Sequence, residues 1–166
     1  MMSDLWRAVL VGIGATVGID LWNLFLKVAF RIPSLDNALL GRWSLHMLDG
    51  KFRHASIKDA ATKPFEGPIG WLVHYSIGVS LAVGFVSLVQ GWLASPTVLP
   101  ALLYGIATIV MPLFVLQPAL GLGVASSASP HPWKARVKSL MTHTAFGLGL
   151  YASALVLNRL SQASAG

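Results

Sequence analysis

The sequence predicts an all-α fold, a polytopic transmembrane four-helix bundle with a cytoplasmic interfacial amphipathic helix between spans one and two. Three observations predict it. Of 166 residues, 55% are apolar and only 11% are charged, against about 25% charged in a soluble globular chain. The mean hydropathy is +0.67. The charges are also segregated: the stretches 8–26, 68–93, 97–116 and 139–157 together hold one formal charge, Asp20. At the rise of an α-helix these stretches are about 28 to 39 Å long, which matches a hydrocarbon core of about 30 Å. The whole chain, 1–166, reads as a single integral membrane domain with long loops at 27–67 and 117–138.

The remaining composition limits the chemistry. The chain has no cysteine, which excludes disulfides, thiolate metal sites and cysteine nucleophiles. A net charge of +6 would suggest nucleic acid for a soluble chain, but in a polytopic chain the positive-inside rule explains it and no nucleic-acid partner is expected. Lys27, Arg31, Arg42, Lys51, Arg53, Lys58 and Lys63 lie in the first long loop, and Lys134, Arg136 and Lys138 in the second. The ends contribute only Arg7 and Arg159. This distribution places the two basic loops in the cytoplasm, beside anionic lipid headgroups, and both termini on the outer face.

The first span opens after Arg7 like a signal peptide. Its apolar run is too long for one, contains Asp20 and ends at Lys27 without a small-x-small cleavage site, so it is expected to be retained. Gly14 and Gly18 have the small-xxx-small spacing of a close helix contact. A dinucleotide-binding reading of these glycines fails because no strand precedes them. Thr16, Asp20, Asn23 and Lys27 fall within about 60° on a helical wheel, forming a polar stripe that should face protein or water.

In the first long loop, Ser34 followed by Leu35, Leu39, Trp43 and Met47 predicts a helix with an apolar face. Arg42, His46, Lys51, Arg53 and His54 fall on it or just after it, so it is expected to lie on the cytoplasmic membrane surface. The second span carries His74 on one face and a stripe of Ser76, Ser80, Gly84, Ser87 and Gly91 about 120° away. That stripe is the surface expected to contact a second copy or another membrane subunit. The short turn 91–96 makes spans two and three an antiparallel hairpin. Pro112 and Gln117-Pro118 predict a kinked third span with freed carbonyls. The fourth span begins near Ser139 and places His143 and Gly147 on one face. Trp43, Trp71, Trp92 and Trp133 read as interfacial anchors, and His46, His54 and His131 as solvated interfacial histidines.

Depth singles out a candidate site. Asp20 and His74 lie about 9 Å, and His143 about 6 Å, inside the cytoplasmic ends of their spans. Gln117 sits at the corresponding edge of span three. Ionisable groups at such depth are costly in lipid and suggest a functional site facing the bundle interior. Asp20, His74, His143 and Gln117, with Asn23 and Thr16, are therefore the candidate ligand-binding residues for a small ligand, cation or proton. A purely structural polar cluster uses the same residues. So does a metal or haem site on His74 and His143, since imidazole suits Zn, Cu and Fe. An accessory subunit of a membrane complex remains a third class. No His-Glu-x-x-His, no Gly-x-Ser-x-Gly and no second intramembrane carboxylate is present, so a hydrolase is not expected.

Five segments carry a family resemblance: Gly12-Ile-Gly-Ala-Thr-Val-Gly-Ile-Asp20-Leu-Trp22, Leu40-Gly-Arg-Trp43, Gly70-Trp-Leu-Val-His-Tyr75, Gln117-Pro-Ala-Leu-Gly-Leu-Gly-Val-Ala125 and His143-Thr-Ala-Phe-Gly-Leu-Gly-Leu-Tyr151. With these the chain resembles small bacterial four-span inner-membrane proteins grouped as a domain of unknown function. The resemblance implies a bacterial inner-membrane location and four spans. It brings no activity, cofactor or catalytic residue.

Overall fold

The computed structural model describes residues 4–163. It is helical, with no strand among the described residues. Helix α1 is Asp4–Phe30, α2 is Asn37–Leu48, α3 is Glu66–Leu88, α4 is Val98–Ala107 and α5 is Pro132–Ala163. Four segments are long and apolar enough to cross a membrane: Asp4–Phe30, Glu66–Leu88, Val98–Ala119 and Pro132–Ala163.

Local chemistry sets the boundaries. Helix α1 ends where Arg31 turns left-handed at φ 56°, two residues before Pro33. Asp36 caps α2 by accepting from the Ala38 N–H at 2.9 Å, so the helix starts at Asn37 and the cap is Asp36 where the sequence suggested Ser34. Helix α3 stops at Leu88, short of the expected 93, because the chain folds into a turn through Gly91 at φ 78°. Beyond α4, Pro112 cannot donate to the Thr108 carbonyl. The backbone loosens at Thr108, rewinds as a π-turn over Pro112–Leu116 and regains α geometry over Gln117–Ala119. The expected kink is therefore a change of helical pitch.

Helix α1 packs on both α3 and α5, α4 packs on α5, and α2 lies on α3. Small residues set these distances. A methyl at Gly12 would come within 2.7 Å of Val79 Cα, and one at Gly149 within 3.0 Å of Ala15 Cα. Gly105 and Gly147 bring α4 and α5 into backbone contact. Gly14 meets Ser153 and Gly18 meets Gly149, so the small-xxx-small pair of α1 faces α5. Val11, Ala15, Phe85, Phe146 and Leu150 form the core between them. Helices α3 and α4 touch through Tyr104, whose hydroxyl donates to the Leu81 carbonyl at 2.9 Å and whose ring lies 5.0 Å from Phe85. Trp92 is a core residue and not an interfacial anchor: it is 4% exposed, stacks edge-on to Phe85 and donates to the Thr97 carbonyl.

Each end of the bundle is tied. At one end Arg7 donates to Asn158 and to the Leu93 carbonyl, which also accepts from Asn158. The start of α1 and the end of α5 therefore share that end, while residues 1–3 and 164–166, including both termini, lie outside the described residues. At the other end, residues 51–61 form a strap. Arg42 grips Glu66 through two bonds of 2.8 Å and donates to the carbonyls of Ile57, Lys58 and Ala60. The strap reaches the end of the third apolar segment through His54 N–H to Ala119 and Ile57 N–H to Leu120. His46 and His54 are therefore buried, not solvated: His46 bonds the Ala61 carbonyl, and their rings meet edge-on at 5.0 Å. His131 is exposed.

Candidate functional site

Asp20 is positioned by a close approach of α1 and α3. Thr16, one turn earlier, returns its hydroxyl to the Gly12 carbonyl at 2.8 Å and sits against Gly78, where any side chain would overlap it. That contact sets the register one turn further along. There Asp20 Oδ1 meets His74 Nε2 at 3.0 Å and Asp20 Oδ2 accepts from the Tyr75 hydroxyl at 3.0 Å. Thr16 is thus buried support behind the polar group and does not line the cleft.

Asp20 and His74 stand at the wall of a cleft of about 450 Å³. Asn23 and Lys27 continue the same face of α1, so the polar stripe of that helix faces this opening from Asp20 onward. The far wall is the 33–37 segment, held against α5 by a bond from Lys138 to the Pro33 carbonyl. Trp71 completes the rim, half exposed and edge-on to the His74 ring at 5.9 Å. The carboxylate of Asp20 fixes the orientation of the His74 ring: Nε2–H donates to it, and Nδ1 is the second ring nitrogen. The side chains of His74 and Asp20 retain 19% and 25% of their exposure, so both reach the cleft.

His143 and Gln117 belong to a second group. His143 Nδ1 lies 2.8 Å from the Thr108 hydroxyl, which itself donates to the Gly105 carbonyl at 2.6 Å. With that hydroxyl proton committed, Nδ1 is the donor to Thr108. Gln117 donates to Ser139 at 3.2 Å, while its buried oxygen has no partner. By depth alone the candidate residues, from four spans, fall in one layer. The structure brings Asp20, Asn23 and His74 together between α1 and α3, and His143 and Gln117 between the third apolar segment and α5. Among the described residues no group of three or more His, Cys, Asp or Glu side chains is gathered to hold a metal ion.

Sequence reasoning missed Tyr75, Trp71 and Thr108. Tyr75 follows His74 about 100° around the helix, so helical spacing gives no signal that the two share a partner. Trp71, three residues before His74, carried the usable signal, since i and i+3 share a helix face.

The family described as Protein of unknown function (DUF2938) has a sequence model that matches residues 9–157. A search of the curated proteins finds no match to the chain, and neither does a search of the solved structures.

Proposed function

The chain belongs to the family of unknown function DUF2938, and we propose from its geometry that it is an integral membrane protein that binds a small polar ligand beside the Asp20–His74 pair. The observation carrying this reading is that pair at 3.0 Å on the wall of the cleft. In lipid such a pair is costly, and its opening toward the α2 end gives it access to water and solutes. Charge asymmetry puts that end in the cytoplasm of a bacterial inner-membrane protein, with the exposed Lys51, Arg53 and Lys58 available to anionic lipid.

A haem- or metal-bearing redox subunit would need His74 and His143 to face one site, whereas each is bonded within its own helix pair. An accessory role draws support from the exposed Ser76, Ser80 and Ser87 of α3. That reading ranks second.

The test is a thermal-shift screen of the protein in nanodiscs against amines, amino acids and monovalent and divalent cations. The reading requires at least one compound whose shift disappears in both Asp20→Asn and His74→Gln. Shifts that survive both substitutions overturn it.

A further inference from the structure

The cleft presents charges of both signs, and this determines the chemical class that fits it. The inference rests on the binding reading above and narrows it to a ligand class. Lys27 lines the cleft, is exposed, and takes part in none of the ion pairs among the described residues. Asp36 lines it from the opposite wall; its Oδ1 caps α2 and its second oxygen remains available. Asp20 lies deeper, seven residues from Lys27 on the same helix, or about 10 Å along the axis. Trp71 exposes half its surface between them.

A bare cation would meet the Lys27 ammonium in so small a space, and a bare anion would meet two carboxylates; a like-charge contact at this range is unfavourable. A molecule carrying both signs leaves neither side opposed. Its ammonium suits the carboxylates and the face of Trp71, where ring and cation attract. Its anionic group suits Lys27. We propose that the cleft binds a small zwitterion, an ammonium and a phosphate or carboxylate a few bonds apart. The same chemistry comes from an aminophospholipid headgroup or from a free solute, and the cleft volume admits either.

The experiment uses the full chain in nanodiscs of phosphatidylglycerol, whose headgroup carries no ammonium. O-phosphoethanolamine and 4-aminobutyrate are titrated calorimetrically beside the half-molecules ethanolamine and inorganic phosphate. At least one zwitterion is expected to bind tenfold or more tighter than either half. Lys27→Gln and Asp36→Asn are each expected to weaken it about tenfold; asparagine keeps the helix cap, so the second change removes charge without removing α2. Adding phosphatidylethanolamine to the nanodisc distinguishes the sources: competition with the soluble zwitterion identifies the headgroup, and no competition identifies the free solute. No zwitterion preference, or a preference that Lys27→Gln leaves intact, overturns the ligand class. If ethanolamine or a metal ion then binds in an Asp20-dependent way, the cleft reading stands without the zwitterion. If no probe depends on Asp20, both fall.

Discussion

Arg42 illustrates how a single residue can organise one end of the molecule. Its guanidinium supplies five donors in a fixed fork, and the structure spends them on Glu66 and on three strap carbonyls. Replacing Arg42 by Ala leaves a carboxylate at 19% side-chain exposure without its partner. The expected cost is about 3 kcal/mol, read as a lowered midpoint in chemical denaturation. Arg42→Lys is expected to recover less than half of that, because a point charge cannot reproduce a bidentate contact while also reaching the strap. Tyr75→Phe removes one bond to Asp20 and is expected to cost about 1 kcal/mol, read as a lowered thermal midpoint. The sequence exposed Asp20 and His74 because each is anomalous in an apolar run. It hid Arg42, whose partner stands 24 positions away, since a basic residue in a basic loop looks like a lipid-facing charge until the loop is folded back.

Among the elements, the packing of α4 on α5 has the least tolerance. A methyl at Gly105 would sit 2.5 Å from the Gly147 backbone and 2.7 Å from the His143 carbonyl, and backbone cannot rotate away. Gly105→Ala is expected to destabilise by about 2–3 kcal/mol, whereas Gly67→Ala, with nothing within 4 Å, should stay within about 0.5 kcal/mol of the parent; thermal midpoints in one nanodisc preparation compare them. The strap offers a pH test. Burial pushes the His54 imidazole below its ordinary 6.5, and Lys51 and His46 push it the same way. Around His46, Asp49 is paired with Lys63 and Glu66 with Arg42. The closed strap holds fewer protons on His54 than the open one, so closure is fully favoured above pH 6.5 and weakens as pH falls below it. Amide exchange at His54 and Ile57, corrected for intrinsic rates, should speed up at pH 5.5 in the parent and not in His54→Leu; equal protection at both pH values would refute the latch. Span positions were legible from charge, and the Pro112 irregularity from proline chemistry. The inward side of α2 was not: its apolar spacing marks one face, while the residues the structure buries include Arg42 and His46, because the strap supplies carbonyls that no local pattern reveals.

For the whole molecule, charge distribution and tertiary structure give the same division into two ends. Arg7 and Asn158 join at one end, whereas the strap, Lys27 and Lys138 gather at the other. Ten of the twelve basic residues fall on the second side, a bias that sets orientation during insertion when it lies in short loops near span ends. The native chain contains no cysteine, so single cysteines report topology without background. Cysteine at Lys58, exposed on the strap, is expected to resist an impermeant maleimide added to intact cells and to react after the inner membrane is opened. Cysteine at Arg159, exposed near the end of α5, is expected to react once the outer membrane alone is permeable. The opposite pattern would place the cleft on the outer face, where a ligand would have to reach it from that side. Neutralising Lys51, Arg53 and Lys58 together should leave the orientation unchanged, because seven basic residues still oppose two. It should also leave the fold unchanged, since these three side chains are exposed. A flip on that substitution would mean that orientation depends on the strap alone and not on the summed bias of both loops.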